Sequence, residues 1–140
     1  MTAHLEPTDA SVVKLLQRRI TGPVTMLNLL RFREWADYTS SPAAAPPQPI
    51  SGSEAFDRYI AHTTPFLLAT GGSVTLLGWG GHYLIGPDTE RWDLVMVVRL
   101  ASVDSFLQFA TNEDYLTGLS HRTAALEDSR LLPLVECPVP

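Results

Sequence analysis

Three polar residues, Asn28, His121 and Arg122, stand where hydrogen-bonding or acid–base chemistry is feasible. Asn28 lies in the middle of the apolar run 24–32, on a strand side that should be buried. A buried amide without hydrogen-bond partners costs about 1–3 kcal/mol. Asn28 therefore either donates to a ligand in a pocket between a sheet and its helices, or is satisfied by neighbouring side chains or a bulged backbone. The sequence leaves both interpretations open.

Arg122 is predicted to face the core. At about 100° per residue of a helix, Tyr115, Leu119, Arg122 and Leu126 lie within about 60° of one another and form one stripe. An unpaired buried guanidinium is very unfavourable, so Arg122 requires a carboxylate or an anionic ligand. A structural ion pair and a contact with a ligand both fit. The candidate carboxylates are Asp93, Glu54 and Asp57.

His121 is the residue best suited to general acid–base catalysis, because imidazole exchanges protons near neutral pH. On an unbroken helix it would point into solvent, whereas a break at 118–120 would re-aim it. Tyr59 and Trp92 are aromatic residues on core-facing elements, where they either pack or line a cavity. The predicted catalytic set is Asn28, His121 and Arg122, and the predicted substrate-binding set is Tyr59, Trp92, Asp93 and Tyr115.

No metal ion or organic cofactor is predicted. The histidines include no pair with the spacing of metal ligands, and His4 is expected in a disordered tail. The single cysteine, Cys137, excludes an intramolecular disulfide and a cysteine-based zinc site. Neither a nucleotide-binding motif nor a nucleophile-elbow motif is present.

The composition is that of an ordinary packed domain. The 140 residues are 45% hydrophobic and 18% charged, and the formal net charge of -5 argues against a nucleic-acid-binding surface. No apolar run reaches the ~20 residues that a membrane helix needs. The first residues lack the basic and apolar regions of a secretion signal, and the lone cysteine fits a reducing compartment. We therefore expect the protein in the cytoplasm.

The hydrophobic periodicity predicts an N-terminal helix over residues 8–20, followed by six core elements. Residues 36–50, with four prolines, are expected to form a surface loop within a single domain over residues 1–140, and to be a poor location for chemistry. Pro65 should bend or end its helix. The first strand lies at 24–32, and the helix after it runs from Ser51 to the stop at Gly71–Gly72. The second strand consists of pieces at 73–77 and 82–85, with a bulge, bend or close backbone approach at 78–81. A strand at 92–100, helical residues from 102 to about 127 and a strand at 131–135 complete the core.

This order predicts an α+β domain of the ferredoxin-like type, β-α-β-β-α-β, with a four-stranded antiparallel sheet. Two helices cover only one face of such a sheet, yet the strands at 24–32 and 92–100 are apolar on both faces. A second copy, packed face to face about a two-fold axis, would cover the other face. We therefore predict a homodimer.

Several ordered blocks resemble the signature of an uncharacterised family in the dimeric α/β-barrel superfamily. They begin with MLNLLRFR (26–33) and ADY (36–38), continue through GSEAFDRY (52–59), GG (71–72), IGP (85–87), WD (92–93), NEDY (112–115) and HR (121–122), and end in AALEDSRLLP (124–133). The similarity covers the chain from about residue 21, and the Pro-rich insertion and the 78–81 stretch depart from it. It implies a ferredoxin-like fold that pairs into a dimeric α/β barrel.

The resemblance implies no single activity, because the superfamily includes cofactor-free monooxygenases of aromatic polyketides, haem-degrading enzymes, muconolactone isomerases and stress-responsive binding proteins. The first hypothesis is a cofactor-independent enzyme, monooxygenase- or isomerase-like, that binds a small organic substrate between sheet and helices. In it Asn28 and Arg122 polarise a carbonyl or carboxylate, and His121 transfers a proton. The alternative is a non-catalytic dimer, of the ligand-binding or stress-responsive kind. A haem-handling protein is a third, weaker alternative.

Overall fold

Four strands form one antiparallel sheet in the computed structural model, which describes residues 3–140. The strands are β1 (Val24–Phe32), β2 (Ser73–His82), β3 (Arg91–Leu100) and β4 (Leu126–Leu134), in the order β2-β3-β1-β4 across the sheet. The helices are α1 (Asp9–Gln17), α2 (Gly52–Ala69), α3 (Val103–Ala110), α4 (Glu113–Leu116) and α5 (Leu119–Ala125), with a 3-10 turn at Pro42–Ala44. The sheet and the order of elements confirm the predicted ferredoxin-like α+β fold.

One face of the sheet carries the hydrophobic core. Alternate residues of β1, from Val24 to Phe32, point to this face together with the paired alternate residues of β3. The predicted stripe of α2 packs onto them, and Phe56, Tyr59 and Leu67 are buried there.

The opposite face of the sheet, here called the open face, is apolar at its centre. The pairing of β1 with β3 and β4 puts Leu27, Leu29, Val95, Val97 and Leu132 on this side. Leu132 is 54% exposed, and the other four are partly exposed. The two central strands are therefore apolar on both faces, as the sequence predicted.

The N-terminal helix is shorter than predicted and leaves part of its apolar side chains exposed. α1 ends at Gln17 rather than near residue 20, and it contains no buried residue. Leu15 and the following Ile20 pack against the core, whereas Val13 and Leu16 are each 50% exposed. The helix thus carries an apolar stripe that the described part of the chain leaves in water.

The residues before α1 are anchored, so the prediction of a disordered tail at His4 is wrong. The His4 N–H donates to the Asp128 carboxylate at 2.8 Å. At the other end of α1, the Arg18 guanidinium donates to the Pro133 carbonyl at 2.8 Å. Residues 3–18, here called the N-terminal strap, therefore lie along β4.

β4 begins at Leu126, whereas the sequence predicted a helix to about residue 127 and a strand from 131. The chain passes from α5 into the strand without a loop, and Leu126 pairs with Phe32 beside a register shift in β1. Leu126 is fully buried in this extended conformation. Helical periodicity also places it in the core, so the hydrophobic pattern could not locate the transition.

β2 runs as one strand through the glycines at 78–81, and it ends at His82 rather than at Ile85. The register irregularity lies instead between Val74 and Leu76. Of the alternatives at the glycines, the close backbone approach is found: a β-carbon on Gly80 would lie 2.4 Å from the Trp92 carbonyl oxygen. The Gly80 hydrogen is therefore required for β2 to lie against β3 at this point.

α2 continues through Pro65 to Ala69, so of the two effects expected of this proline, ending the helix is not found. Pro65 has no N–H for the Ala61 carbonyl, but both residues are exposed, and water is accessible on that side. The residue before it, Thr64, donates from its hydroxyl to the Ile60 carbonyl at 2.8 Å.

Within residues 3–140, no helix has both the length and the apolar character needed to span a bilayer.

Candidate functional site

The Pro-rich segment 36–50 brings a tyrosine to His121. The Tyr38 side chain is buried in the helix-side core, and its hydroxyl lies 2.8 Å from His121 Nδ1. The two rings meet edge to face at 79°, with centroids 5.6 Å apart. The segment is closed at its base by the Ala36 N–H, which donates to the Ile50 carbonyl at 2.9 Å. Tyr38 is therefore buried, although the segment was expected to form a surface loop.

A break between α4 and α5 turns His121 toward this tyrosine. Gly118 lies in the break, directly against His62, since a β-carbon there would be 2.1 Å from the His62 ring. His62 Nε2 is hydrogen-bonded to the Asp114 carbonyl at 2.8 Å. His121 is consequently partly buried instead of pointing into solvent, as the broken-helix alternative predicted.

The surroundings keep the imidazole of His121 neutral and the phenol of Tyr38 protonated. Burial lowers the pKa of His121 below its ordinary value of 6.5, and electrostatic interactions with Arg58 and His62 act in the same direction. Burial raises the pKa of Tyr38 above its ordinary value of 10.0, against the opposing effect of Arg58. At pH 7 the pair therefore combines an imidazole able to accept a proton with a phenol able to donate a hydrogen bond.

Two grooves, both open to solvent, flank the first half of the Pro-rich segment. The first has a volume of about 560 Å³ and is lined by Tyr38 with Ala36, Asp37, Thr39, Pro42 and Ala45. The second has a volume of about 620 Å³, and its lining includes Leu119, Ser120 and Thr123 of α5. Tyr38 lines the first groove, and residues near His121 in α5 line the second, but His121 itself lines neither. Neither groove is lined by Asn28 or Arg122.

Arg122 is bound to the N-terminal strap. Its guanidinium donates to the Leu5 carbonyl and, at 3.4 Å, to the Ser129 hydroxyl. The carboxylates that the sequence suggested, including Asp93, are not its partners: Asp93 accepts from the Phe32 N–H at 2.8 Å and pairs with Arg91. The prediction of a carboxylate partner is wrong because uncharged oxygens of the strap and of β4 satisfy the guanidinium instead.

Asn28 is satisfied by the backbone. Its amide group donates to the Met26 carbonyl at 3.3 Å and to the Met96 carbonyl, on the neighbouring strand, at 3.1 Å. These contacts are of the second kind that the sequence analysis left open, with main-chain oxygens taking the place of side chains. They leave no amide hydrogen of Asn28 for a ligand.

Tyr59 and Tyr115 are brought together, whereas Trp92 lies elsewhere. The two tyrosine hydroxyls are 2.8 Å apart in the core. Trp92 is 2% exposed and lies at another edge of the core, where its ring contacts the guanidinium groups of Arg31 and Arg130 at 5.8 and 5.0 Å. The predicted substrate-binding residues therefore do not form one pocket.

Tyr38 and Arg58 are the residues that the sequence analysis missed. Tyr38 lies in a segment whose prolines and alanines suggested a loop without chemistry, although it is the only aromatic residue between positions 36 and 50. Arg58 lies on α2, where its position in the helical pattern is that of an ordinary surface residue, and only the fold brings its charge near His121.

Within residues 3–140, no three His, Cys, Asp or Glu side chains are grouped closely enough to hold a metal ion.

Solved structures with the same fold include distant and near relatives. A dimeric ferredoxin-like protein of unknown function from Jannaschia sp. CCS1 superposes with a TM-score of 0.51 at 9% identity, covering 82% of this chain and 100% of its own. The Arabidopsis thaliana protein At3g17210 superposes with a TM-score of 0.52 at 10% identity, covering 84% of this chain and 98% of its own. At such identities the likeness concerns the fold alone.

No protein-family model matches the chain, and comparison with curated proteins gives no match. The assignment of the MLNLLRFR block to a family signature therefore stays a prediction. RPA0582, a protein of unknown function from Rhodopseudomonas palustris, is 33% identical over 99% of this chain and 100% of its own, with a TM-score of 0.84. A methylated form of RPA0582 gives a TM-score of 0.86. This chain belongs to the same family as RPA0582.

Proposed function

We propose that the protein is a homodimer that binds a small organic molecule beside His121 and Tyr38, and that His121 transfers a proton as the base of a cofactor-independent, isomerase-like enzyme. The observation that carries this proposal is the partly buried 2.8 Å contact between Tyr38 Oη and His121 Nδ1, in which Tyr38 also lines the first groove. A cytoplasmic location, expected from the sequence, belongs to the same proposal.

The chemistry follows from the second ring nitrogen of His121. When Nδ1–H donates to the Tyr38 oxygen, Nε2 carries a lone pair and the Tyr38 O–H is free to donate to a ligand. Nε2 would take a proton from the carbon next to a carbonyl; the C–H electron pair would form the C=C bond of an enolate, and the carbonyl π electrons would move to its oxygen, to which the Tyr38 O–H can donate. Returning the proton to another atom of the substrate completes an isomerisation that requires no oxidant and no cofactor.

The low pKa of His121 suits this role. A base must be unprotonated before it can accept a proton, and burial with Arg58 nearby keeps the imidazole neutral at pH 7. The same Arg58 charge would stabilise negative charge that develops on the substrate oxygen.

A non-catalytic binding dimer is the second candidate, and the openness of both grooves favours it. Catalytic proton transfer usually takes place where water is excluded, whereas ligand storage has no such requirement.

Solvent deuterium exchange tests the enzyme proposal. A panel of small ketones, lactones and unsaturated acids is incubated with the protein in D2O, and NMR follows deuterium at the carbon next to the carbonyl. We expect exchange with at least one compound, loss of exchange in His121→Gln, and a reduced rate in Tyr38→Phe. His82→Gln, at an exposed histidine on β2, is the matched control.

Each outcome decides between the candidates. Ligand-dependent shifts of the His121 ring signals without any exchange favour the binding dimer. A panel that gives neither exchange nor shifts at His121 contradicts the proposed site.

The dimer is supported by the open face and by the size of the surface. A compact monomer of 15.4 kDa is expected to expose about 7,200 Å², whereas this chain exposes 9016 Å². The excess of about 1,800 Å² is ample for a stable interface, which removes about 800 Å² from each partner. The description of the Jannaschia protein as dimeric adds support.

A further inference from the structure

The edge strand β2 exposes large apolar side chains on the face that the helices cover elsewhere. Leu77 is 56% exposed and Trp79 76%, and with Val74 they point to the helix side of the sheet. Their cross-strand partners on β3 are core residues of that side: Val98, Met96 and Leu94. The helix layer therefore does not extend over β2, and an apolar strip stays in water.

A second unpartnered apolar stripe lies on α1, at the other edge of the sheet. Val13 and Leu16 are each half exposed, and α1 contains no buried residue. The helix is held in place along β4, because Arg18 donates to the Pro133 carbonyl and His4 to Asp128. Nine residues are thus fixed in a helix whose exposed apolar stripe has no partner in the described part of the chain.

The two stripes meet if two open faces pack around a two-fold axis parallel to the strands. β2 and β4 are the two edges of the sheet, so this operation places β4 of one protomer beside β2 of the other. The pairing across the sheet shows which residues of the two edge strands lie at the same height along the strand direction. Leu77 pairs with Met96, Met96 with Asn28, and Asn28 with Leu131 of β4. Leu77 therefore comes level with Leu131, within the stagger that closes a barrel.

We propose that α1 of each protomer covers the helix-side face of β2 of its partner, with Val13 and Leu16 against the partner's Leu77 and Trp79. This inference rests on the proposed homodimer and adds a second contact outside the open face. It gives the N-terminal helix, which is not part of the ferredoxin-like core, the role of an intersubunit cover for an edge strand. The excess surface of about 1,800 Å² is about twice what one standard interface removes from each partner, which leaves area for this second contact.

Disulfide formation between two different single-cysteine variants tests the contact. Leu16→Cys and Leu77→Cys are each made in the Cys137→Ser background, mixed to exchange subunits, and oxidised. We expect a disulfide-linked dimer from the mixture and none from either variant alone, because only the mixed dimer brings the two thiols together. Lys14→Cys, on the other side of α1, replaces Leu16→Cys in the control mixture and should give none.

A further pair, Val13→Cys with Trp79→Cys, detects the same contact if α1 lies slightly displaced along the partner's β2. Native mass spectrometry of the same samples reports whether they are dimers. A dimer that forms neither disulfide overturns the α1–β2 contact and leaves the homodimer standing. A monomer at micromolar concentration overturns the homodimer and this inference with it.

Charge on the α1 stripe provides an independent readout. Val13→Glu with Leu16→Glu should weaken dimerisation at least ~10-fold in sedimentation experiments while the circular dichroism spectrum stays unchanged, because two carboxylates would be desolvated at the contact. Lys14→Glu is the control of similar composition. Unchanged dimerisation in the double variant contradicts the proposal.

Discussion

The hydroxyl oxygens of Tyr59 and Tyr115 lie 2.8 Å apart, and each is the hydrogen-bond partner of the other inside the core. Burial, together with the neighbouring Tyr59, raises the pKa of Tyr115, so its hydroxyl stays protonated in any ordinary buffer. The pair joins α2 to α4 and holds the helix layer beneath which His121 and Tyr38 meet.

Removing both hydroxyls of this pair should cost less than the two single removals added together. Tyr115→Phe leaves the Tyr59 hydroxyl buried without a partner, which should lower the free energy of unfolding by about 1–3 kcal/mol. Tyr59→Phe with Tyr115→Phe should cost less than the sum of the single variants, and urea unfolding of all four proteins measures this. Strictly additive losses would contradict the direct contact.

Gly52→Ala should strongly destabilise the protein. A β-carbon at Gly52, the first residue of α2, would lie 2.2 Å from the Arg33 carbonyl oxygen and 2.7 Å from that of Ala125. Backbone atoms cannot move aside as a side chain would, so we expect a loss of about 3 kcal/mol or more in urea unfolding. Gly81→Ala is the control, since no atom lies within 4 Å of a β-carbon there. Equal effects of the two changes would refute this account.

Acidification should destabilise the protein through His121. Its pKa is lowered in the folded state, so below pH 6.5 the unfolded chain binds the proton more readily than the folded one. The stability associated with the neutral imidazole is present above pH 6.5 and is lost as the pH falls through the folded pKa. NMR titration should give a midpoint below 6.5, and His121→Gln should reduce the loss of stability between pH 7.5 and 5. A midpoint above 6.5 would be inconsistent with a neutral base.

Asp128→Asn should release the N-terminal strap. Burial acts to raise the pKa of Asp128, but hydrogen bonds from the His4 N–H and Arg130 outweigh it and lower the pKa below 3.8. The stability that this carboxylate contributes is present above pH 3.8 and is lost as the pH falls through the folded pKa.

At pH 7 we expect Asp128→Asn to cost about 1–3 kcal/mol and to accelerate hydrogen exchange at the His4 amide. Asp88→Asn, in the exposed turn after β2, is the control. Unchanged exchange at His4 would argue against the anchor.

Leu29→Glu should produce a folded monomer. Leu29 lies at the centre of the open face, where a carboxylate would be desolvated opposite its own copy if the two sheets pack. Analytical ultracentrifugation measures the change, and Leu68→Glu, at a 59% exposed leucine on α2, controls for the added charge. A dimer that survives Leu29→Glu unchanged would exclude the open face as the interface.

The sequence predicted the fold better than the site because the two depend on different information. A short run that is apolar on both faces locates β1 at Val24–Phe32 without reference to the rest of the chain, and capping residues such as Ser102 and Asn112 mark where helices begin. These signals are local, so they can be read from one segment at a time.

The site depends on contacts between distant segments. Tyr38 and His121 are separated by 83 positions and meet only because the Pro-rich segment folds back onto α5. The partners of Arg122 are the Leu5 carbonyl and the Ser129 hydroxyl. The chain contains many other carbonyls and hydroxyls, and nothing in the sequence distinguishes these two as the acceptors. No periodicity identifies such partners, which is why a carboxylate was expected.

The N-terminal strap also has a consequence for how the chain folds during synthesis. His4 and Asp128 are 124 positions apart, so a segment that is synthesised early binds to one that is synthesised much later. α1 is made early but cannot dock until β4 has emerged and joined β1, since the strap lies along β4. Closure of the long loop between them is therefore a late step, and a chain truncated before residue 128 would complete its early helices while leaving the N-terminal segment undocked.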